Sequence, residues 1–172
     1  FKEPMSREVS PADAPELWLA VREAAQRLHT TPPDRIIIGM QFNFYVTELA
    51  VCHDAGRAEG KILFLSYPLL KQLSGDEVLA IIGHELGHFI GEDTKMTREF
   101  YPMRLKAQAT MLAMARSGWV GWPSFQFLNF FGWCFGETEQ AASRTRELLA
   151  DQKAAELTAP RTMANALVRF QV

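Results

Sequence analysis

Five residues, His84-Glu85-Leu86-Gly87-His88, limit the fold of this chain more than any other stretch. They spell H-E-x-x-H, a pattern with chemical meaning on a helix: residues i and i+4 stand one above the other on one face, about 6 Å apart along the axis. Two imidazoles so placed converge on one metal ion, at about 2.0–2.1 Å from each nitrogen. The glutamate then projects beside the ion, where it can take a proton from water and pass it to a leaving amine. A helix is therefore required here.

The flanking residues provide one. Ser74-Gly75-Asp76-Glu77 is a capping box that opens it, and Gly91 fits a C-terminal cap. Between them Val78, Leu79, Ile81, Ile82, Leu86, Phe89 and Ile90 almost surround the axis, which predicts a mostly buried helix. Two imidazoles and a carboxylate are costly in such surroundings without a shared partner. Of the four histidines, His29, His53, His84 and His88, half lie in the motif. One zinc ion per chain is expected, held by His84 and His88 with Glu85 as base.

A catalytic zinc takes a third protein ligand and keeps a position for water. The extended pattern H-E-x-x-H-x-x-G-x-x-H fails at its last position, which is Thr94. His29 and His53 fall at a helix end and a hairpin turn and read as surface residues, with His53 in reserve near the site. Among carboxylates, Glu92, Asp93 and Glu99 lie beyond the Gly91 cap and read as solvated charges. Glu147 is better placed, in a helical stretch with Asp151 one turn on along the same face. That pair offers a ligand and an acceptor for the remote N–H of a metal-bound histidine. On spacing alone Glu147 is the favourite and no more, because E-x-x-x-D on a helix is as often a solvated face.

Composition sets the frame. With 172 residues, 48% of them hydrophobic, the chain has room for one domain with a core, expected to span residues 1–172. Its 18 basic against 20 acidic residues leave no electrostatic footprint for nucleic acid. Cys52 and Cys134 form no C-x-x-C pair and suggest neither a disulfide framework nor a cysteine-built zinc site. The chain opens on Phe1, so its numbering is expected to begin inside a longer product.

Along the chain, Asp13 with Pro15 and Glu16 reads as a helix start, and Leu17, Val21, Ala24 and Leu28 form one apolar stripe ending near His29. Runs at 36–38, 42–51 and 61–66 are β-branched or aromatic, bounded by Gly39 and the polar turn at 54–60, and predict a small sheet with one hairpin. A Met-rich helix is expected from Pro102 to Arg116, helix again from about Glu139 through Leu157, and a last short helix carrying Met163, Leu167 and Phe170.

The residues resemble a known family, the HtpX-like and type I CAAX prenyl protease-like metallopeptidases, a branch of the gluzincins. The similarity lies in the helix from Leu73 to His88, in Ser143-Arg144 through Glu147, in Ala150-Asp151, and in the helix and small sheet that precede them. The resemblance implies an α+β fold: a mostly helical zincin-like domain with an about three-stranded sheet beside the H-E-x-x-H helix. It makes Glu147 the third zinc ligand and Asp151 its supporting carboxylate. Asn43-Phe44-Tyr45 is similar to the family's Asn-Ala-Phe edge strand, where asparagine and backbone hold an extended substrate. Phe44 departs from that pattern, and an equal reading is that Asn43 merely begins a strand.

Family members are commonly integral membrane proteins, which implies a membrane-associated protein of the bacterial inner membrane. That singles out residues 117–136, twenty residues with no charge and eight aromatics. Their glycines, Pro123, Gln126 and Asn129 make a poor bilayer helix. Three fates stay open: buried core or flap, interfacial contact through Trp119, Trp122 and Trp133, or a span.

The expectation is a zinc endopeptidase acting on polypeptides, in protein quality control or processing, with prenyl-peptide processing as a variant. The rival is a non-catalytic, zinc-stabilised membrane interaction module, which would have no use for Glu85. Arg144, Tyr67, Tyr101 and His53 are all candidates to polarise the substrate carbonyl, and Arg144 equally suits an ion pair with a buried carboxylate.

Overall fold

The computed structural model describes residues 3, 5–90, 102, 105–106, 109–114, 122–158, 161–162, 164–165 and 168. Expectations at Gly91, Glu92, Asp93, Glu99, Tyr101, Trp119, Met163, Leu167 and Phe170, and at the side chains of Trp122 and Trp133, lie outside the described residues.

A four-stranded sheet forms the centre, in the order β1 (Ser6–Val9), β2 (Arg35–Gly39), β6 (Ile62–Ser66), β3 (Tyr45–Thr47). β2 and β6 are parallel, and the flanking β1 and β3 are antiparallel to their neighbours. All five residues of β6 are buried, as a central strand covered on both faces requires. A two-stranded ribbon, β4 (Val51–His53) with β5 (Gly56–Ala58), makes the second sheet.

The period of two along the strands divides the apolar residues between two cores. Ile36, Leu63 and Leu65 face three helices and meet Trp18 and Val21 of α1 (Pro15–Arg27), Leu28 at its C-terminal cap, and Ile82, Leu86 and Phe89 of α3 (Gly75–Ile90). Leu157, at the end of α4 (Trp122–Leu157), joins them. Ile37, Ile62 and Phe64 point the other way and pack on Val51 and Ala58 of the ribbon. Between β6 and α3 lies the short α2 (Tyr67–Leu70).

The sheet departs from the expected three strands. β1 is extra: its Ser-Arg-Glu-Val sequence carries little β signal, and pairing with the isoleucines of β2 holds it. The run at 42–51 divides between β3 in the main sheet and β4 in the ribbon, and the turn at 54–60 contains β5. Asp13 does not cap α1. It accepts from the Ser10 N–H and hydroxyl in the preceding turn, while Ala14 stands at the cap position without a side-chain bond. The other end closes with His29 in the left-handed conformation (φ 54°), where Thr30 N–H reaches the Ala25 carbonyl at 2.9 Å.

α4 is one continuous helix of 36 residues, so the aromatic segment from Trp122 onward and the Glu147 region belong to one element. Among the described residues no helix is long and apolar enough to cross a membrane.

Candidate active site

The capping box forms as expected: Ser74 N–H donates to Glu77 Oε2 at 2.8 Å, and Glu77 N–H to Ser74 Oγ at 3.4 Å. It starts α3 in the phase that puts His84 and His88 on one face, with ring centroids 5.1 Å apart in an edge arrangement. The partner of this face is α4, and small residues set its distance. A Cβ on Gly87 would lie 2.9 Å from Ala150 Cα, and one on Gly83 would lie 2.5 Å from Leu157 Cδ1 and 3.4 Å from Ala154 Cα. Two glycines four apart on α3 thus receive two alanines four apart on α4.

That close approach carries Glu147 and Asp151 to the histidines. His84 Nε2 lies 3.4 Å from Glu147 Oε2, and His84 Nδ1, which is buried and makes no hydrogen bond among the described residues, lies 3.0 Å from Asp151 Oδ1. One ligand atom each from His84, His88 and Glu147 falls within 4.8 Å of the others. Two ligands at about 2.0–2.1 Å from a tetrahedral ion stand ~3.4 Å apart, which is the His84–Glu147 separation. Burial, and then the neighbouring His88, hold His84 below the ordinary imidazole range against the pull of Asp151 and Glu147. The ring is therefore neutral near pH 7, as a metal ligand must be.

Glu85 leaves the same helix toward the sheet. The Val46 N–H of β3 faces its carboxylate and works, as the weakest of three influences, to lower its pKa. Burial, and then the charge of Glu147, push its pKa up to about 8. β3 is an edge strand, so the side of it away from β6 is unpaired within the sheet. Ser143, Arg144, Glu147, Leu148 and Asp151 line an open recess of about 430 Å³ beside the cluster.

Of the expected site residues, His84, His88, Glu147 and Asp151 come together, Glu85 stands beside them, and Arg144 lies on the rim of the recess. Asn43 is exposed, two residues ahead of β3, and is not part of the strand. His53 has no reserve role at the cluster: its ring is buried against β1, with Nε2 3.6 Å from Glu8 Oε2. Tyr67 begins α2, with the Lys71 ammonium over its ring. No sequence pattern marks the Val46 N–H, and the helix contact rests on two small-residue pairs, Gly83/Gly87 and Ala150/Ala154. The spacing of the small residues was visible in the sequence.

Comparison with known proteins bears on the same residues. The model of peptidase family M48 matches residues 52–171, more than two thirds of the chain, with the whole cluster inside the match. The chain belongs to peptidase family M48. This M48 chain is 29% identical over 127 residues to a Protease HtpX homolog of Methanopyrus kandleri, covering 67% of the chain and 38% of the relative. It is 29% identical over 186 residues to a Protease HtpX homolog of Acaryochloris marina, covering 95% of the chain and 58% of the relative. It thus spans only part of the length of these relatives. Among solved structures, the Ste24p of S. mikatae superimposes with a TM-score of 0.60 at 21% identity, over 96% of this chain and 43% of that one. Family and fold agree with an HtpX/CAAX protease-like metallopeptidase.

Proposed function

We propose that the chain is the catalytic domain of a zinc-dependent endopeptidase acting on polypeptides. The observation that carries this reading is the convergence of His84, His88 and Glu147 to within 4.8 Å, with Glu85 between that cluster and an edge strand. His84, His88 and Glu147 would hold the ion, and Asp151 would fix the His84 ring by taking its Nδ1–H. When bound, zinc supplies Lewis-acid polarisation of the scissile carbonyl and acidifies the attacking water.

The chain's own groups do the rest. An extended substrate adds to the free side of β3, with Asn43 at the strand's entrance as a further contact and Arg144 on the opposite rim near the reacting carbonyl. Glu85 receives the proton of the attacking water and delivers it to the departing amine. Membrane association, in a bacterial inner membrane, is part of the proposal. It is supported by Phe127 and Phe130, 69% and 63% exposed and three residues apart on α4.

Zinc content and cleavage of unfolded casein, measured together on the parent and on Glu85→Gln, test the reading. Equimolar zinc in both, with cleavage in the parent alone, is the expected result. Equal cleavage by both at equal zinc, or no zinc and no effect of chelators, would overturn it.

A further inference from the structure

Glu3 is only 5% exposed, yet one of its carboxylate oxygens, Oε2, is buried without a hydrogen-bond partner among the described residues. A carboxyl buried with acceptor capacity idle costs stability, so this side chain is poorly suited to holding the fold together for its own sake. Its contacts are specific. The Glu3 N–H donates to the Cys52 carbonyl of β4 at 2.8 Å, its carbonyl accepts from Ser6 Oγ, and Oε1 accepts from the Tyr45 hydroxyl at 3.1 Å. The arm before β1 is thus anchored on the ribbon and reaches the edge strand through one side-chain bond.

Tyr45 is the residue before Val46. Its ring stacks on Phe64 with centroids 4.8 Å apart and planes 7° from parallel, so it is gripped by β6 below and Glu3 at its tip. β3 has only three residues and pairs on one side, with β6. Short edge strands with one neighbour fray readily unless tied down. A substrate strand laid on β3 takes its height from it, and misplacement of about 1 Å against the reacting groups costs up to ~100-fold in rate.

We propose that Glu3 is a positioning residue for the edge strand: through Tyr45 it holds β3 at its height against α3, the helix that carries Glu85. The consequence for catalysis rests on the peptidase reading above; the positioning itself does not.

Three variants of the full chain, Glu3→Met, Glu3→Gln and Tyr45→Phe, test it by amide hydrogen exchange of residues 45–47 and by kcat and KM on an extended peptide. Methionine removes the acceptor and the buried carboxyl together, whereas glutamine keeps an acceptor for the Tyr45 hydroxyl. Exchange at 45–47 is expected to quicken about tenfold in Glu3→Met and Tyr45→Phe while β2 and β6 stay protected, with kcat/KM down about tenfold and zinc content unchanged. Glu3→Gln is expected to behave as the parent. Unchanged exchange at 45–47, a Glu3→Gln as impaired as Glu3→Met, or exchange quickened across the whole sheet would each overturn the positioning role. Should Glu3→Met not fold, Tyr45→Phe decides alone. If the parent cleaves nothing, the peptidase reading fails, and the exchange data still decide the role of Glu3.

Discussion

Gly87 on α3 and Ala150 on α4 touch so closely that a methyl group on the glycine would lie 2.9 Å from the alanine Cα. The cluster at His84 depends on that approach, since on the same helix Glu147 stands about one turn before the contact and Asp151 directly after it. Backbone cannot yield as a side-chain tip can. Gly87→Ala is therefore expected to lose about 1–3 kcal/mol to overpacking, more than the ~1 kcal/mol that alanine gains over glycine in a helix. Gly83→Ala meets mainly the flexible Leu157 tip and should come out near neutral. Denaturant unfolding of both variants checks the order, and zinc titration should show weakened binding in Gly87→Ala.

Zinc should stabilise the fold by mass action. At a free concentration 100 times the dissociation constant the gain is about 2.7 kcal/mol. Asp151→Asn leaves His84, His88 and Glu147 in place but removes the carboxylate beside His84 Nδ1, and affinity should fall 10- to 100-fold, by the usual effect of outer-shell partners. At the same zinc concentration the gain then drops by roughly half or more. Thermal scans of parent and variant, with zinc and with chelator, read this directly.

The metal-free protein should lose stability as pH rises through the window set by Glu85. Burial first, and then Glu147, raise its pKa from 4.5 to about 8. Between those values the unfolded chain has released the proton and the folded chain still holds it, so raising the pH favours unfolding. Below about 4.5 the group adds no penalty, and above about 8 the penalty is complete. Denaturation of stripped protein at pH 5 and pH 8, compared with Glu85→Gln, isolates the contribution; the parent should fall more steeply than the variant.

Arg27, at the end of α1, donates to the Glu156 and Leu157 carbonyls at 3.3 Å and so closes the free end of α4. Arg27→Ala should cost about 0.5–1 kcal/mol, the usual worth of a cation and its hydrogen bonds at a helix C-terminus. A fall of a few degrees in Tm, with zinc affinity little changed, is the expected outcome.

What could be read from the sequence was what local chemistry encodes. The capping box, the apolar helix and the H-E-x-x-H face all lie within twenty residues, and Glu147 with Asp151 repeats the i, i+4 rule on a second helix. The rest depends on partners distant in the chain. β1 has four mostly polar residues and becomes a strand by pairing with β2, some thirty positions away. The Val46 N–H is a backbone donor that no side-chain pattern announces. Gly87 fills an unspecified position of the motif, although its lack of a side chain decides how near Glu147 can come.

The unbroken course of α4 has a mechanical meaning. From Phe130 to Glu147 is 17 residues, or about 26 Å of helix at 1.5 Å per residue. The helix is clamped on α3 at Ala150 and Ala154, close to the carboxylate. It is a lever with a short arm at Glu147 and a long one ending in exposed aromatics. By those proportions a displacement of several ångströms at Phe130 would reach Glu147 as a fraction of an ångström.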